Sequence, residues 1–181
     1  MPCATTLYFD LETDAAVRRL WQAIEDAGLP SSLLNLGYRP HLTLVVCDTM
    51  DFDALRAELP PLVANTPPVS FNFHGLGTFN TAEGVVYLAV TVSQELLALH
   101  ERMWKLAAPH ANGKLQYYMP GIWVPHVTLG YGLEHEQVGR VINSLRKIGL
   151  PINGTATELV VTDVSPSGYT DLFAARLGVQ P

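Results

Sequence analysis

The sequence predicts an α/β (α+β) fold in two lobes related by approximate two-fold symmetry, and three observations carry that expectation. Segments with strand and helix periodicity alternate along the chain. Each half runs strand, helix, loop and then Pro-His-x-Thr-Leu, first at Pro40-His41-Leu42-Thr43-Leu44 and again at Pro125-His126-Val127-Thr128-Leu129. Hydrophobic residues make up 48% of the 181 positions and charged residues 15%, which suits a real core and lies outside the range of a disordered chain. A single domain over residues 1–181 is the expected unit, because that length falls within the range of one compact body.

Taken in order, residues 6–11 form the first strand, and Thr13 or Asp14 caps a helix whose apolar positions Val17, Leu20, Trp21 and Ile24 recur at helical spacing. Gly28 and Pro30 stop it. A second strand over residues 40–46 begins with proline, where the missing N–H does least harm, and residues 51–63 read as a short second helix. The proline-rich stretch from Pro60-Pro61 to Pro67-Pro68 is expected to be the hinge between halves. Residues 69–73 alternate like a strand, and Gly75, Gly77 and Gly84 bracket a turn before the strand over residues 85–90. Ser93 signals a helix cap, with Leu96, Leu97, His100, Met103 and Trp104 on one face and an end near Pro109. A strand over residues 124–129, a helix over 136–148 and strands over 156–164 and 170–177 complete the chain. Tyr8 and Tyr87 mark corresponding strands of the two halves, which suggests an internal duplication with both motifs at a common cleft.

In a strand, alternate side chains share a face, so His41 and Thr43 project together while Leu42 and Leu44 enter the core. His126 and Thr128 repeat the arrangement. Two imidazoles titrate near neutrality, so one can be neutral and accept a proton from an attacking water while the other is charged and gives one to a leaving oxygen. Threonine hydroxyls can donate to phosphate oxygens, where charge develops. A single Pro-His-x-Thr is weak, since a strand histidine is more often a packed residue. Given one copy, residue frequencies place a second by chance in roughly one chain of this length in a thousand.

A net charge of −6 disfavours long duplex nucleic acid, which is held by counterion release, but not a small phosphate ligand in a local pocket. Cys3 and Cys47 are too few for a disulfide framework and have no metal-ligand partners in spacing. No His-Glu-x-x-His or Cys-x-x-Cys spacing occurs, so no metal is expected. The amino terminus lacks the basic start and apolar run of a signal peptide, and no membrane span is expected, so a cytoplasmic monomer is the default.

The paired motifs, with their hydrophobic x positions and strand order, resemble the 2H phosphoesterase superfamily, in particular its 2'-5' RNA ligase and cyclic phosphodiesterase branch. The resemblance runs from the first strand through Gly75-Leu76-Gly77-Thr78-Phe79 and Tyr87 to the second motif. It implies antiparallel sheets lining a central cleft with helices outside, no cofactor, and attack on 2',3'-cyclic phosphate or related phosphodiester ends of RNA or nucleotides. It assigns catalysis to His41, Thr43, His126 and Thr128. The alternatives are 2'-5' RNA ligation, or a binding module for nucleotide or RNA ends that turns nothing over.

Further candidates stand on location. Arg39 adjoins the first motif and Lys114 lies in the loop before the second, where either could add a charge-assisted contact to phosphate. Among the aromatics Tyr38, Tyr117, Tyr118, Trp123 and Tyr131 near the motifs, Trp123, together with Phe79, is the expected base-stacking contact. His74, His100, His110 and His135 lack the following x-Thr; His100, on the apolar side of its helix, is expected to be a satisfied core or boundary residue.

Overall fold

The computed structural model describes residues 1–30, 32–35, 37–165 and 169–179, with the backbone alone at 32, 35, 114 and 115, so the expectation placed on the Lys114 side chain lies outside the described residues. Its strands are β1 (Cys3–Phe9), β2 (His41–Cys47), β3 (Thr49–Met50), β4 (Val69–Thr78), β5 (Gly84–Thr91), β6 (Ala111–Asn112), β7 (His126–Leu133), β8 (Ile152–Asp163) and β9 (Thr170–Arg176). Its α-helices are α1 (Leu11–Asp26), α2 (Ser32–Asn35), α3 (Phe52–Arg56), α4 (Leu59–Ala64), α5 (Gln94–Ala107) and α6 (His135–Leu145).

Seven strands form one antiparallel sheet in the order β2-β1-β8-β4-β5-β7, with β9 also paired to β8. The long strand β8 joins the halves. Along one edge it pairs with β1; along the other, Ile152 to Ala156 pair with β4, and Glu158 to Asp163 pair with β9. β2 and β7, which carry the two motifs, are therefore the outermost strands of the path. They nevertheless lie against each other, and the helices cross between halves: α1 packs on β7 and β8, whereas α5 packs on β2 and β4. One hydrophobic cluster runs from Cys3 to Leu177 and includes Trp21, Leu42, Leu44, Val127 and Leu129. Each such side chain removed from water contributes about 1.5–3 kcal/mol, so strand register is set mainly by which residues must be inside.

Several expected boundaries move for identifiable reasons. α1 starts earlier than predicted because Asp10 is its N-cap, accepting from the Thr13 N–H at 2.8 Å. Thr13 instead accepts from the Thr155 N–H at 3.1 Å, which ties the first turn to β8. The single helix expected over residues 51–63 is two helices, because Pro60 and Pro61 cannot donate to a preceding turn and sit in the first turn of a new one. The proline-rich stretch is not a hinge: Leu59, Leu62 and Val63 of α4 are buried in the core, and Pro67-Pro68 lead directly into β4. Gly75 and Gly77 lie inside β4 rather than in a turn, Gly77 directly opposite Tyr87. A Cβ on Gly77 would stand 2.5 Å from the Tyr87 ring, so bare backbone there admits the ring. The two-residue β3–β6 pair and α2 carry no periodic signal, and the sequence does not predict them.

Candidate active site

Both motifs start their strands and repeat the same irregularity. In β2, Thr6 pairs with Thr43 and Thr5 with Val45, which leaves Leu44 as an extra residue; in β7, Tyr87 pairs with Thr128 and Val86 with Gly130, which leaves Leu129. The leucine that closes each His-x-Thr-Leu is thus a β-bulge, and it bends each motif strand at the site. Leu42, Leu44, Val127 and Leu129 are buried, while His41, Thr43, His126 and Thr128 are half-buried on the opposite face.

The carbonyl next to each bulge is bonded by an indole from elsewhere. Trp21 of α1 donates Nε1–H to the Thr128 carbonyl at 3.0 Å, and Trp123 donates Nε1–H to the Thr43 carbonyl, also at 3.0 Å. These reciprocal bonds clip the two motif strands to each other's halves. Trp123 also stacks on His100 at 3.9 Å between ring centroids, 5° from parallel. One face and the N–H of Trp123 therefore serve the scaffold. His100 is buried and donates Nε2–H to the Tyr118 carbonyl at 2.8 Å, the satisfied core role that is one of the two expected of it.

Each motif histidine is oriented in the same way. His41 Nδ1 lies 2.8 Å from the Arg39 carbonyl, and His126 Nδ1 lies 2.8 Å from the Val124 carbonyl. A carbonyl only accepts, so Nδ1 carries the proton in both rings and the lone pair of the neutral ring lies on Nε2. The intervening proline, Pro40 or Pro125, holds the extended turn that brings each carbonyl back to its ring. Burial is the main cause lowering the pKa of both imidazoles below the usual histidine range, and the nearby His126 lowers that of His41 further.

The surroundings of the two rings differ. Tyr8 pairs with His41 across β1 and β2, and its ring meets the imidazole edge-on at 6.2 Å. Arg39 lies 3.8 Å over the Tyr8 ring and its guanidinium forms a 2.9 Å ion pair with Glu158. Beside them opens a cavity of about 300 Å³ lined by Thr6, Tyr8, Arg39, His41, Thr43 and further residues of β8 and β9. Around His126 the wall is aromatic: Phe79 packs edge-on at 4.9 Å, and Tyr87 lies tilted at 5.3 Å. The position opposite His126 is Ala89, so Tyr8 and Tyr87 are not register equivalents; Tyr87 matches Thr6. Larger hollows elsewhere, such as one of about 520 Å³ between Ala57 and Leu106, contain no motif residue.

Of the residues singled out in the sequence, the fold brings His41, Thr43 and Arg39 to one cavity and sets Phe79 against His126. The sequence does not single out Trp21, Tyr8, Tyr87 and Asp171 as site residues. Trp21 reads as ordinary helix core, and the others become neighbours only through strand pairing.

The model of the 2'-5' RNA ligase superfamily matches residues 12–165, a span that contains both motifs. The chain belongs to that superfamily. A relative from Oceanobacillus iheyensis, named as a putative phosphoesterase, is 26% identical over 113 residues, 61% of this chain and 62% of that relative's length. The match thus spans less than two thirds of the relative. This superfamily member also shares its fold with solved structures. TT0787 of Thermus thermophilus aligns over 98% of both chains with a TM-score of 0.63 at 18% identity. E. coli LigT complexed with 3'-AMP aligns over 98% of this chain and 99% of its own, with a TM-score of 0.59 at 15% identity. The α/β architecture with antiparallel strands that the family resemblance implied is thus the 2H phosphoesterase fold.

Proposed function

We propose that this chain is a metal-independent hydrolase of 2',3'-cyclic phosphate or related phosphodiester ends of RNA or nucleotides. The observation that carries the reading is the matched pair of Nδ1–H bonds to the Arg39 and Val124 carbonyls, which sets the lone pair of the neutral ring on Nε2 in both His41 and His126. One neutral Nε2 takes a proton from water as its oxygen attacks phosphorus. The other, protonated, gives its proton to the ribose oxygen as the P–O bond breaks. Thr43 and Thr128 donate to the non-bridging oxygens. The lowered pKa of both rings keeps a neutral base available, and the bound phosphate anion favours the proton that the acid must carry. The 3'-AMP in a LigT structure supports a nucleotide-sized ligand for this fold.

The test is incubation of the protein, with chelator present, with the four nucleoside 2',3'-cyclic phosphates and a short RNA ending in a cyclic phosphate, followed by phosphorus NMR. Ring opening that is lost in both His41→Ala and His126→Ala is expected. Opening that survives either substitution, or that needs added metal, overturns the reading. The superfamily description favours one second reading, 2'-5' RNA ligation, in which a 5'-hydroxyl takes the place of water and the same two histidines act. Adding a 5'-hydroxyl RNA to the same reaction separates the two by product.

A further inference from the structure

The cavity beside His41 has a chemistry that the phosphate step does not use. It runs from His41 and Thr43 to Thr162 of β8 and Asp171 of β9, and Tyr38 and Tyr169 stand at its side. Thr162 donates its hydroxyl to Asp171 Oδ1 at 2.9 Å, which fixes the carboxylate on the β8–β9 side of the cavity. Tyr38 and Tyr169 meet edge-to-face at 5.1 Å, and Tyr169 is exposed.

Charge decides which way a nucleotide enters. A phosphate is repelled by Asp171 and matched by the motif hydroxyls and imidazoles, so the anion belongs at the His41 end. What reaches Asp171 must present a hydrogen-bond donor, because a carboxylate only accepts, and a nucleobase offers its donors as N–H groups. A volume of about 300 Å³ lies at the small end of ligand pockets and suits one nucleoside rather than a longer strand. The opposite side, by His126, is filled by Phe79 and Tyr87 packed against each other at 4.6 Å.

Resting on the function proposed above, we infer that this cavity is the nucleobase pocket and that Asp171 selects bases bearing N–H donors, guanine first. Guanine offers a ring N–H and an amino N–H side by side, which a carboxylate accepts together. Adenine and cytosine offer an amino group only. Uracil sets carbonyl oxygens on both sides of its single N–H and is opposed. The exposed Tyr169 ring provides a stacking face that is indifferent to base identity.

The experiment compares wild type, Asp171→Asn and Tyr169→Leu in two assays: kcat/KM on the four nucleoside 2',3'-cyclic phosphates, and calorimetric binding of the four nucleoside 3'-monophosphates. Guanosine is expected to exceed uridine by about 10-fold in both assays, the scale of a partly exposed hydrogen-bonded contact with a charged group. That advantage should fall to within about 2-fold in Asp171→Asn, while Tyr169→Leu should weaken all four bases alike. Equal values for the four bases in wild type, a guanosine preference unchanged in Asp171→Asn, or no nucleotide binding at all would overturn the pocket. Binding with the expected preference but no ring opening would instead remove the proposed reaction and leave the pocket standing.

Discussion

The two motifs are alike in their own backbone and side chains and unlike in the residues packed around them. Both share the proline, the Nδ1 bond to a carbonyl two residues back, the threonine on the same face and the bulged leucine. Around His41 stand Tyr8, Arg39 and a polar cavity, and around His126 stand Phe79 and Tyr87 against the bare backbone of Gly77. The duplicated part is the acid–base pair, which the proposed reaction needs twice in opposite protonation states. The diverged part is the wall, because the two sides of a substrate are not the same.

The most severe way to test the likeness is to break it one motif at a time. His41→Ala and His126→Ala should each lower kcat by about 10²- to 10⁴-fold, the usual range for a lost general acid or base. A much smaller loss in one lobe, measured by single-turnover kinetics, would show that only one ring transfers a proton. Next in size is a change confined to the second lobe. Gly77→Ala forces the Tyr87 ring toward Phe79 and His126, and should lower kcat/KM by about 10-fold through misplacement of that imidazole alone. Unchanged kinetics would mean that the aromatic wall does not hold His126 in place.

Smaller still are the effects of the reciprocal clips. Trp21→Phe and Trp123→Phe each remove an N–H from a motif carbonyl and should cost about 1–3 kcal/mol, read as a lowered Tm. If the clips also space the two motifs, the double variant should lose more than the sum of the singles. The gentlest probe is pH. Both imidazole pKa values are lowered below 6.5, so kcat/KM, which reports the free enzyme, should peak on the acid side of pH 6.5, and the kcat profile should lie higher because bound phosphate favours the protonated ring. The sign for stability follows from the same shift. The unfolded chain binds these protons more readily, so stability is lost as pH falls below about 6.5. Tm measured against pH should flatten in His41→Gln and His126→Gln.

Much of this is legible from local pattern. The motif strands, the Ser93 cap and the interior positions of Leu42, Leu44, Val127 and Leu129 follow from two-residue and 3.6-residue periodicity. The misread places are those where a distant residue overrides the local signal. Gly75 and Gly77 read as a turn until Tyr87 is laid across one of them. Tyr8 and Tyr87 read as equivalents until strand register sets Tyr8 beside His41 and Tyr87 beside Thr128. Trp123 reads as a free stacking surface, but His100 covers one face and the Thr43 carbonyl takes its N–H.

By itself the sequence determined the family, the two-lobed plan and the four residues proposed to act on phosphate, because a repeated motif and its alternation are local properties of the chain. Only the tertiary structure decided which neighbours those residues keep. The long strand β8 pairs with β1, β4 and β9, and so brings Thr162 and Asp171 to the first motif, more than a hundred residues distant in the chain. Such neighbours are chosen by burial and register across the whole sheet, which no window of sequence contains.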